Sequence, residues 1–246
     1  MDRKKTTIIT VASIKGGVGK STSSIIFATL LSQKYKVLLI DMDTQASTTS
    51  YYSPKLSKLD VNLIDKNVYE VLKNNLSINN AIFVIDKNLD LIPSYLSLHQ
   101  FNMEPIPFKE MKLKKQLKQL EIDYDYILID TNPSLDFTLV NALVCSNYII
   151  VPMTAEKWAV ESLELFEFFV GKLDLSLSVF ILVTRFRKNN THKYLLDILR
   201  SKNNFLGTVS EREDLNKRLA EDSTFDLNKD YIHEYQKALD CFLREI

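Results

Sequence analysis

The chain has 246 residues, 46% hydrophobic and 25% charged, and its 31 basic and 31 acidic side chains cancel. That length and apolar content support one large core, while the neutral balance excludes a global attraction to nucleic acid or to an anionic membrane. Cys145 and Cys241 lie far apart among apolar neighbours and in no metal-ligand spacing, as expected of reduced thiols in a cytoplasmic protein.

The start, Met1-Asp2-Arg3-Lys4-Lys5, is basic, but the apolar run after it is too short for a signal peptide. No stretch reaches the length needed to span a bilayer. No Pro/Gly/Ser-rich linker, repeat or low-complexity tract interrupts the chain, so 1–246 reads as a single domain.

In chain order, Ile8-Ile9-Thr10-Val11-Ala12 predicts a strand over 7–12. It runs into Ile14-Lys15-Gly16-Gly17-Val18-Gly19-Lys20-Ser21-Thr22, which opens a helical pattern over 20–33. Strand, glycine-rich turn ending in Lys-Ser, then helix is the context a phosphate-binding loop requires. Three of the chain's five glycines fall within Gly16–Gly19. They let successive N–H groups converge on phosphate oxygens, and the helix N-terminus adds its dipole and free N–H groups. Lys20 is placed for the β- and γ-phosphates, Ser21 for Mg²⁺ and Thr22 for the α-phosphate. The loop departs from the ordinary pattern, because Ile14 stands where a glycine is usual and a second lysine, Lys15, heads the loop.

Strands follow over 36–41, 89–92, 126–130, 147–152, 178–184 and 205–209, with helices over 67–75, 108–120, 157–172, 191–201 and 230–243. Near-continuous apolar runs such as Val37-Leu38-Leu39-Ile40 and Tyr126-Ile127-Leu128-Ile129 suit a parallel sheet covered on both faces. The fold class is therefore α/β: a doubly wound, mostly parallel sheet with helices on both faces and ligands beyond the carboxyl ends of its strands. Two such ends carry acids. Asp130 closes its strand in the manner of a Walker B acid. Asp41 and Asp43 flank Met42, so that one can support the metal shell and the other orient or deprotonate the attacking water.

Four segments in this order and spacing resemble the ParA/MinD family of deviant Walker A ATPases, most of all its small ParA (Soj-type) partition branch. They are Lys15-Gly-Gly-Val-Gly-Lys20-Ser-Thr, Leu38-Leu-Ile-Asp-Met-Asp43-Thr-Gln-Ala-Ser47, Tyr126-Ile-Leu-Ile-Asp130-Thr-Asn-Pro133-Ser and Val151-Pro152-Met-Thr-Ala-Glu156. The resemblance runs to about residue 220. It implies ATP and Mg²⁺ as ligands, Lys15 as the signature lysine reaching the partner subunit's nucleotide, Asp43 as the water-activating acid and Asp130 as the Walker B acid. It places Arg185, Val209 and Ser210 in the adenine region. Here Val209-Ser210 stands for the family's Ile-Pro, Asp43-Thr44-Gln45-Ala46 for Asp-Pro-Gln-Gly, and Asp130-Thr131-Asn132-Pro133 for Asp-Thr-Pro-Pro.

A homodimer also follows from charge. Lys15 and Lys20 would repel each other at one γ-phosphate, whereas a contact from Lys15 to the partner's phosphates matches each cation with an anion. Hydrolysis would remove that bridge, which makes a weak ATPase a timer for the dimer.

Between 185 and 218, Arg185, Arg187, Lys188, Lys193, Arg200, Lys202, Arg212, Lys217 and Arg218 outnumber Asp197, Glu211, Glu213 and Asp214. No base-reading module is visible, so DNA binding would ignore sequence. Membrane binding of the MinD type would need a basic terminal helix. The C-terminal polar face instead sets Asp230, Glu234, Asp240 and Glu245 against Lys237 and Arg244, so that helix is expected to pack on the sheet. An iron–sulfur reductase sharing the deviant loop would need paired cysteines at a dimer axis, which Cys145 and Cys241 do not suit.

The loop strand starts close to residue 1, so no N-terminal DNA-reading domain is expected. The protein would work in the bacterial cytoplasm, associated with the nucleoid, beside a ParB-like centromere-binding protein that inserts a basic segment and stimulates hydrolysis. The segment 51–80 and the lysines of 108–120 (Lys109, Lys112, Lys114, Lys115, Lys118) are candidate surfaces for that partner, and Trp158 is expected to serve packing. A MinD-like or cargo-positioning ATPase is the alternative.

Overall fold

A computed structural model describes residues 6–156, 158–188, 190–202, 204–221, 223 and 225–246, and the basic stretch Met1–Lys5 lies outside them. The strands are β1 (Thr7–Val11), β2 (Val37–Met42), β3 (Phe83–Asp86), β4 (Leu89–Ile92), β5 (Tyr126–Thr131), β6 (Tyr148–Thr154), β7 (Ser178–Phe186) and β8 (Phe205–Ser210). They form one sheet in the order β3-β4-β2-β5-β1-β6-β7-β8, parallel except for β3, which pairs antiparallel with β4. All seven sequence-predicted strands are present, and β3 is an edge hairpin that periodicity did not single out.

The helices are α1 (Lys20–Leu31), α2 (Ser47–Tyr51), α3 (Ser53–Lys58), α4 (Val68–Leu72), α5 (Lys112–Leu117), α6 (Phe137–Cys145), α7 (Ala159–Lys172), α8 (Asn190–Arg200), α9 (Glu213–Ala220) and α10 (Asp230–Glu245), with 3-10 turns between some of them. One face of the sheet carries α1, α3, α9 and α10, packed through Ile25, Phe27, Leu56, Leu215, Tyr235 and Phe242. The other carries α4, α5 and α6 over β2 and β5, and α7 and α8 over β6 and β7. Each fully buried Leu, Ile or Phe contributes about 1.5–3 kcal/mol to holding these layers.

One expectation changes in detail and one holds. The helix expected over 108–120 is a 3-10 turn, Lys109–Met111, followed by the short α5. The C-terminal helix packs as expected, burying Tyr231, Ile232, Tyr235, Leu239 and Phe242.

The strand order matters for function because β1 lies between β5 and β6. Register sets Val11 beside Asp130, and Asp130 beside Asp41. The phosphate-loop candidate and both acidic strand ends thus emerge at one level, on the carboxyl edge of the parallel strands where the strand order reverses.

Candidate functional site

The glycine-rich turn joins β1 to α1. Gly17 and Gly19 have φ of 72° and 83°, a left-handed backbone that residues with a Cβ resist. Gly19 is the N-cap of α1 and makes no side-chain cap, which leaves the first N–H groups of the helix for a ligand. The turn is tied from behind: Thr184 Oγ1 donates to Val18 O at 2.7 Å, and the Arg185 guanidinium donates to Gly17 O at 2.9 Å.

Lys20 is buried, and its Nζ donates to Lys15 O at 3.1 Å. Burial pulls its ammonium below the ordinary lysine range, against the opposing pull of Asp130 and Asp43. A cation held this way is short of hydration and suited to phosphate.

The three carboxylates occupy different depths. Asp43 lines a cleft of about 670 Å³ together with Gly16, Gly17, Gly19, Lys20, Ser21 and Thr22. Its Oδ1 accepts from Gln45 N at 2.9 Å. Asp130 is fully buried and accepts from Ser24 Oγ at 3.0 Å and Thr48 Oγ1 at 2.7 Å. Asp41 is also fully buried: it accepts from Thr49 N and Thr49 Oγ1 at 2.8 and 2.6 Å and from Asp43 N at 3.0 Å. It stands behind the cleft wall and shapes the Asp43 turn, so a place in the inner metal shell does not suit it.

Burial pushes both Asp41 and Asp130 up, and the neighbouring Asp130 charge adds to the rise at Asp41. Among the described residues no group of three or more His, Cys, Asp or Glu gathers around a metal position. The donor set is one hydroxyl in the cleft, Ser21, with one buried acid, Asp130, behind the wall. That fits Mg²⁺, which keeps several waters and takes its other ligands from phosphate oxygens.

The same cleft is lined by Arg185, Val209 and Ser210, the three residues expected near a base, with Arg185 held against the loop by its bond to Gly17 O. It is completed by Arg212, Leu215, Asn216 and Leu219 around α9. Sequence reasoning assigned Arg212 to DNA and passed over Leu215, Asn216 and Leu219, although the i, i+4 pair Leu215 and Leu219 was the available signal. Glu234 of α10 accepts from Ser210 N at 2.6 Å and from Ser210 Oγ at 2.8 Å.

Lys15 turns away from this cleft. It pairs with Glu156 and lies 3.5 Å from Thr154 Oγ1, in a second hollow of about 270 Å³ shared with Arg187, His192 and Glu211. Lys15 in turn holds the Glu156 carboxyl below its usual range.

The basic cluster of 185–218 is split. Arg185 and Arg187 converge on Glu211 beside the loop, Arg212 joins the cleft wall, and Arg218 pairs with Asp214 at 3.1 Å. Lys217 reaches Glu221 at 3.8 Å, and Arg200 reaches Asp197 at 3.9 Å. Lys188, Lys193 and Arg200 are exposed on or beside α8, with Lys202 half-buried just after it.

Trp158 corrects an expectation. Expected to serve packing, it is 60% exposed, and Leu165 and Phe168 are exposed further along α7. Cys145 is buried and Cys241 half-buried, both as free thiols. No helix among the described residues is long and apolar enough to cross a membrane.

A family model described as an AAA domain matches residues 6–181. The crystal structure of a plasmid partition protein from Borrelia burgdorferi bound to AMPPNP is 63% identical, with a TM-score of 0.97 over 98% of this chain and 100% of that one. The sporulation initiation inhibitor protein Soj of Bacillus subtilis is 36% identical over 160 residues, covering 63% of this chain. Cobyrinic acid a,c-diamide synthase from Mycobacterium smegmatis, with a bound ATP analogue and magnesium, is 25% identical with a TM-score of 0.78 over 98% of this chain and 95% of that one. The chain spans about three fifths of the length of the curated relatives it matches first (62% and 61%). The deviant loop with its outward Lys15, the two acidic strand ends at one level and these likenesses agree: the chain belongs to the ParA/MinD family of deviant Walker A P-loop ATPases.

Proposed function

We propose that the chain, read as one ATPase domain, is a DNA-partition ATPase. It binds ATP-Mg²⁺, closes as a sandwich dimer, holds DNA without reading sequence and lets go when a ParB-like partner speeds hydrolysis. The observation that carries this reading is the divergence of the two loop lysines: Lys20 is buried at the cleft, while Lys15 is presented outward on Glu156. The partition protein bound to AMPPNP, alike over the whole chain, supports both the nucleotide and the biological role.

In the proposed chemistry the loop amides and Lys20 hold the β- and γ-phosphates, and Ser21 with Asp130 behind it holds the metal. Mg²⁺, when bound, would neutralise charge on the phosphate oxygens. Asp43 takes a proton from the attacking water, whose oxygen bonds to the γ-phosphorus as the bond to the β–γ bridging oxygen breaks. ADP leaves with that electron pair, and phosphate carries the water oxygen. Asp41 acts through Asp43, whose N–H it accepts. Lys15 of each subunit reaches the other's nucleotide, so loss of phosphate loosens the pair.

DNA retention is assigned to α8 and its flanks, through Lys188, Lys193, Arg200 and Lys202, with Lys217 on α9. Arg185, Arg187 and Arg212 are assigned to the nucleotide end. The membrane-positioning alternative receives no support from α10, whose apolar stripe is spent on the sheet.

Co-sedimentation with random duplex DNA and with anionic liposomes, under ATP, ADP or no nucleotide, tests the reading. ATP-dependent, salt-sensitive retention on DNA alone is expected. Retention on liposomes alone would transfer the protein to the membrane-positioning branch.

A further inference from the structure

The base end of the cleft carries a selectivity device built from Ser210 and Glu234, and this inference rests on the nucleotide reading above. The cleft is lined by the phosphate-binding elements around Gly16–Thr22 and by the apolar side chains of Val209, Leu215 and Leu219, which pack in one cluster. A flat heteroaromatic base belongs there, with its polar edge against the strand end at Ser210. Ser210 lines the cleft and Glu234 does not. Both Glu234 oxygens are engaged from behind, Oε2 by Ser210 N at 2.6 Å and Oε1 by Ser210 Oγ at 2.8 Å.

The hydrogen-bond inventory then decides what Ser210 offers. A hydroxyl has one donor and two acceptor lone pairs, while a carboxylate only accepts. The single Ser210 proton is therefore committed to Glu234, and its N–H is committed as well. What remains for the cleft is lone pairs alone. An exocyclic amino group, as on adenine, donates to that oxygen. The carbonyl oxygen that guanine carries at the same ring position meets it lone pair to lone pair.

We propose that Glu234 is a positioning residue that fixes Ser210 Oγ as an acceptor and thereby selects a 6-amino over a 6-oxo purine nucleotide. The clamp also satisfies the N–H that a proline at this strand end would lack, so a serine there keeps an ordered edge.

The test is titration calorimetry of the full chain with Mg²⁺-AMPPNP and Mg²⁺-GMPPNP, read as the ratio of the two dissociation constants. The wild type should favour the adenine nucleotide. Glu234→Gln supplies an amide donor to Ser210 Oγ, frees its proton to turn into the cleft, and should cut the preference about tenfold, partly by tightening the guanine nucleotide. Ser210→Ala removes the acceptor while changing one small side chain, and should cut the ratio by weakening the adenine nucleotide alone.

A merely structural clamp would weaken both nucleotides by the same factor, and that result, or an unchanged ratio in both variants, overturns the proposal. If Arg212 or Asn216 reads the base, the ratio also stays unchanged. Equal affinity of the wild type for both nucleotides overturns base selection and leaves the ATPase reading standing, whereas binding of neither overturns both.

Discussion

Lys20 Nζ donates to the main-chain oxygen of Lys15 at 3.1 Å, while the Lys15 side chain leaves in the other direction to pair with Glu156. Two cations five residues apart on one loop are thus joined through backbone and separated in space. The inward lysine is desolvated and aimed at the cleft. The outward one is held at the rim by an acid at the end of β6. That division of labour sets the first expectation.

Lys15→Gln should bind AMPPNP with little loss yet remain monomeric, because the lost cation belongs to the partner's site. Glu156→Gln releases Lys15 and should lower the protein concentration needed for AMPPNP-dependent dimerisation by a few-fold, the size of a half-exposed ion pair. Sedimentation velocity across a protein dilution series reads both. Wild-type dimerisation in Lys15→Gln would refute the assignment of Lys15 across the interface.

Lys20→Ala should abolish nucleotide binding, since no other buried cation lines that end of the cleft among the described residues. Asp43→Ala should keep the ATP-bound dimer and slow hydrolysis about 10²-fold or more, the usual worth of a positioned general base. Asp41→Asn should slow hydrolysis less, because Asp41 acts only by holding the Asp43 turn. Phosphate release from pre-formed dimers is the measurement, and normal turnover in the Asp43 variant would move the base elsewhere.

Much of this was legible in the residues themselves. The loop, its flanking strand and α1 were readable because an apolar run, glycines and Lys-Ser each carry a separate physical demand. Asp41 and Asp43 could not be separated that way, since both flank Met42. The chain leaves β2 after Met42, and the Asp41 carboxylate is taken up by Asp43 N and Thr49 while Asp43 lines the cleft.

Helix α6 is short and largely apolar, with its polar Thr138 and Asn141 buried, so no amphipathic period marks it; its signal is the Asp136 cap, accepting from Thr138 N and Leu139 N. The Ser210–Glu234 clamp spans 24 residues, and only the packing of α10 on β8 brings it together.

The buried acids make stability depend on pH in a stated direction. Asp41 and Asp130 are both raised above the ordinary aspartate value, chiefly by burial. A raised acid contributes stability that is full below its unfolded value and is lost as pH rises through the folded one. The metal-free protein should therefore melt at lower temperature as pH is taken from about 5 to about 8. Mg²⁺-AMPPNP, which favours the ionised acids, should stabilise more at the upper end. Melting curves in EDTA and in Mg²⁺-AMPPNP at both pH values decide it, and a metal-free melting temperature that climbs with pH would contradict the burial argument.

DNA retention provides the last expectation, because the structure divides a cluster that the sequence joins. Arg185 and Arg187 share Glu211 beside the loop, so reversing them should damage nucleotide binding as well as DNA binding. Lys193 and Arg200 project from α8, away from the residues lining the cleft. Reversing both to Glu should leave AMPPNP affinity and dimerisation intact and remove DNA retention. It should also flatten the salt dependence, since each phosphate contact contributes about 0.9 to the slope of log K against log salt and a dimer would lose four. Filter binding of the AMPPNP-bound protein between about 50 and 200 mM salt measures that slope. An unchanged slope in the double variant would place the DNA face elsewhere, with Lys217 of α9 the next to reverse.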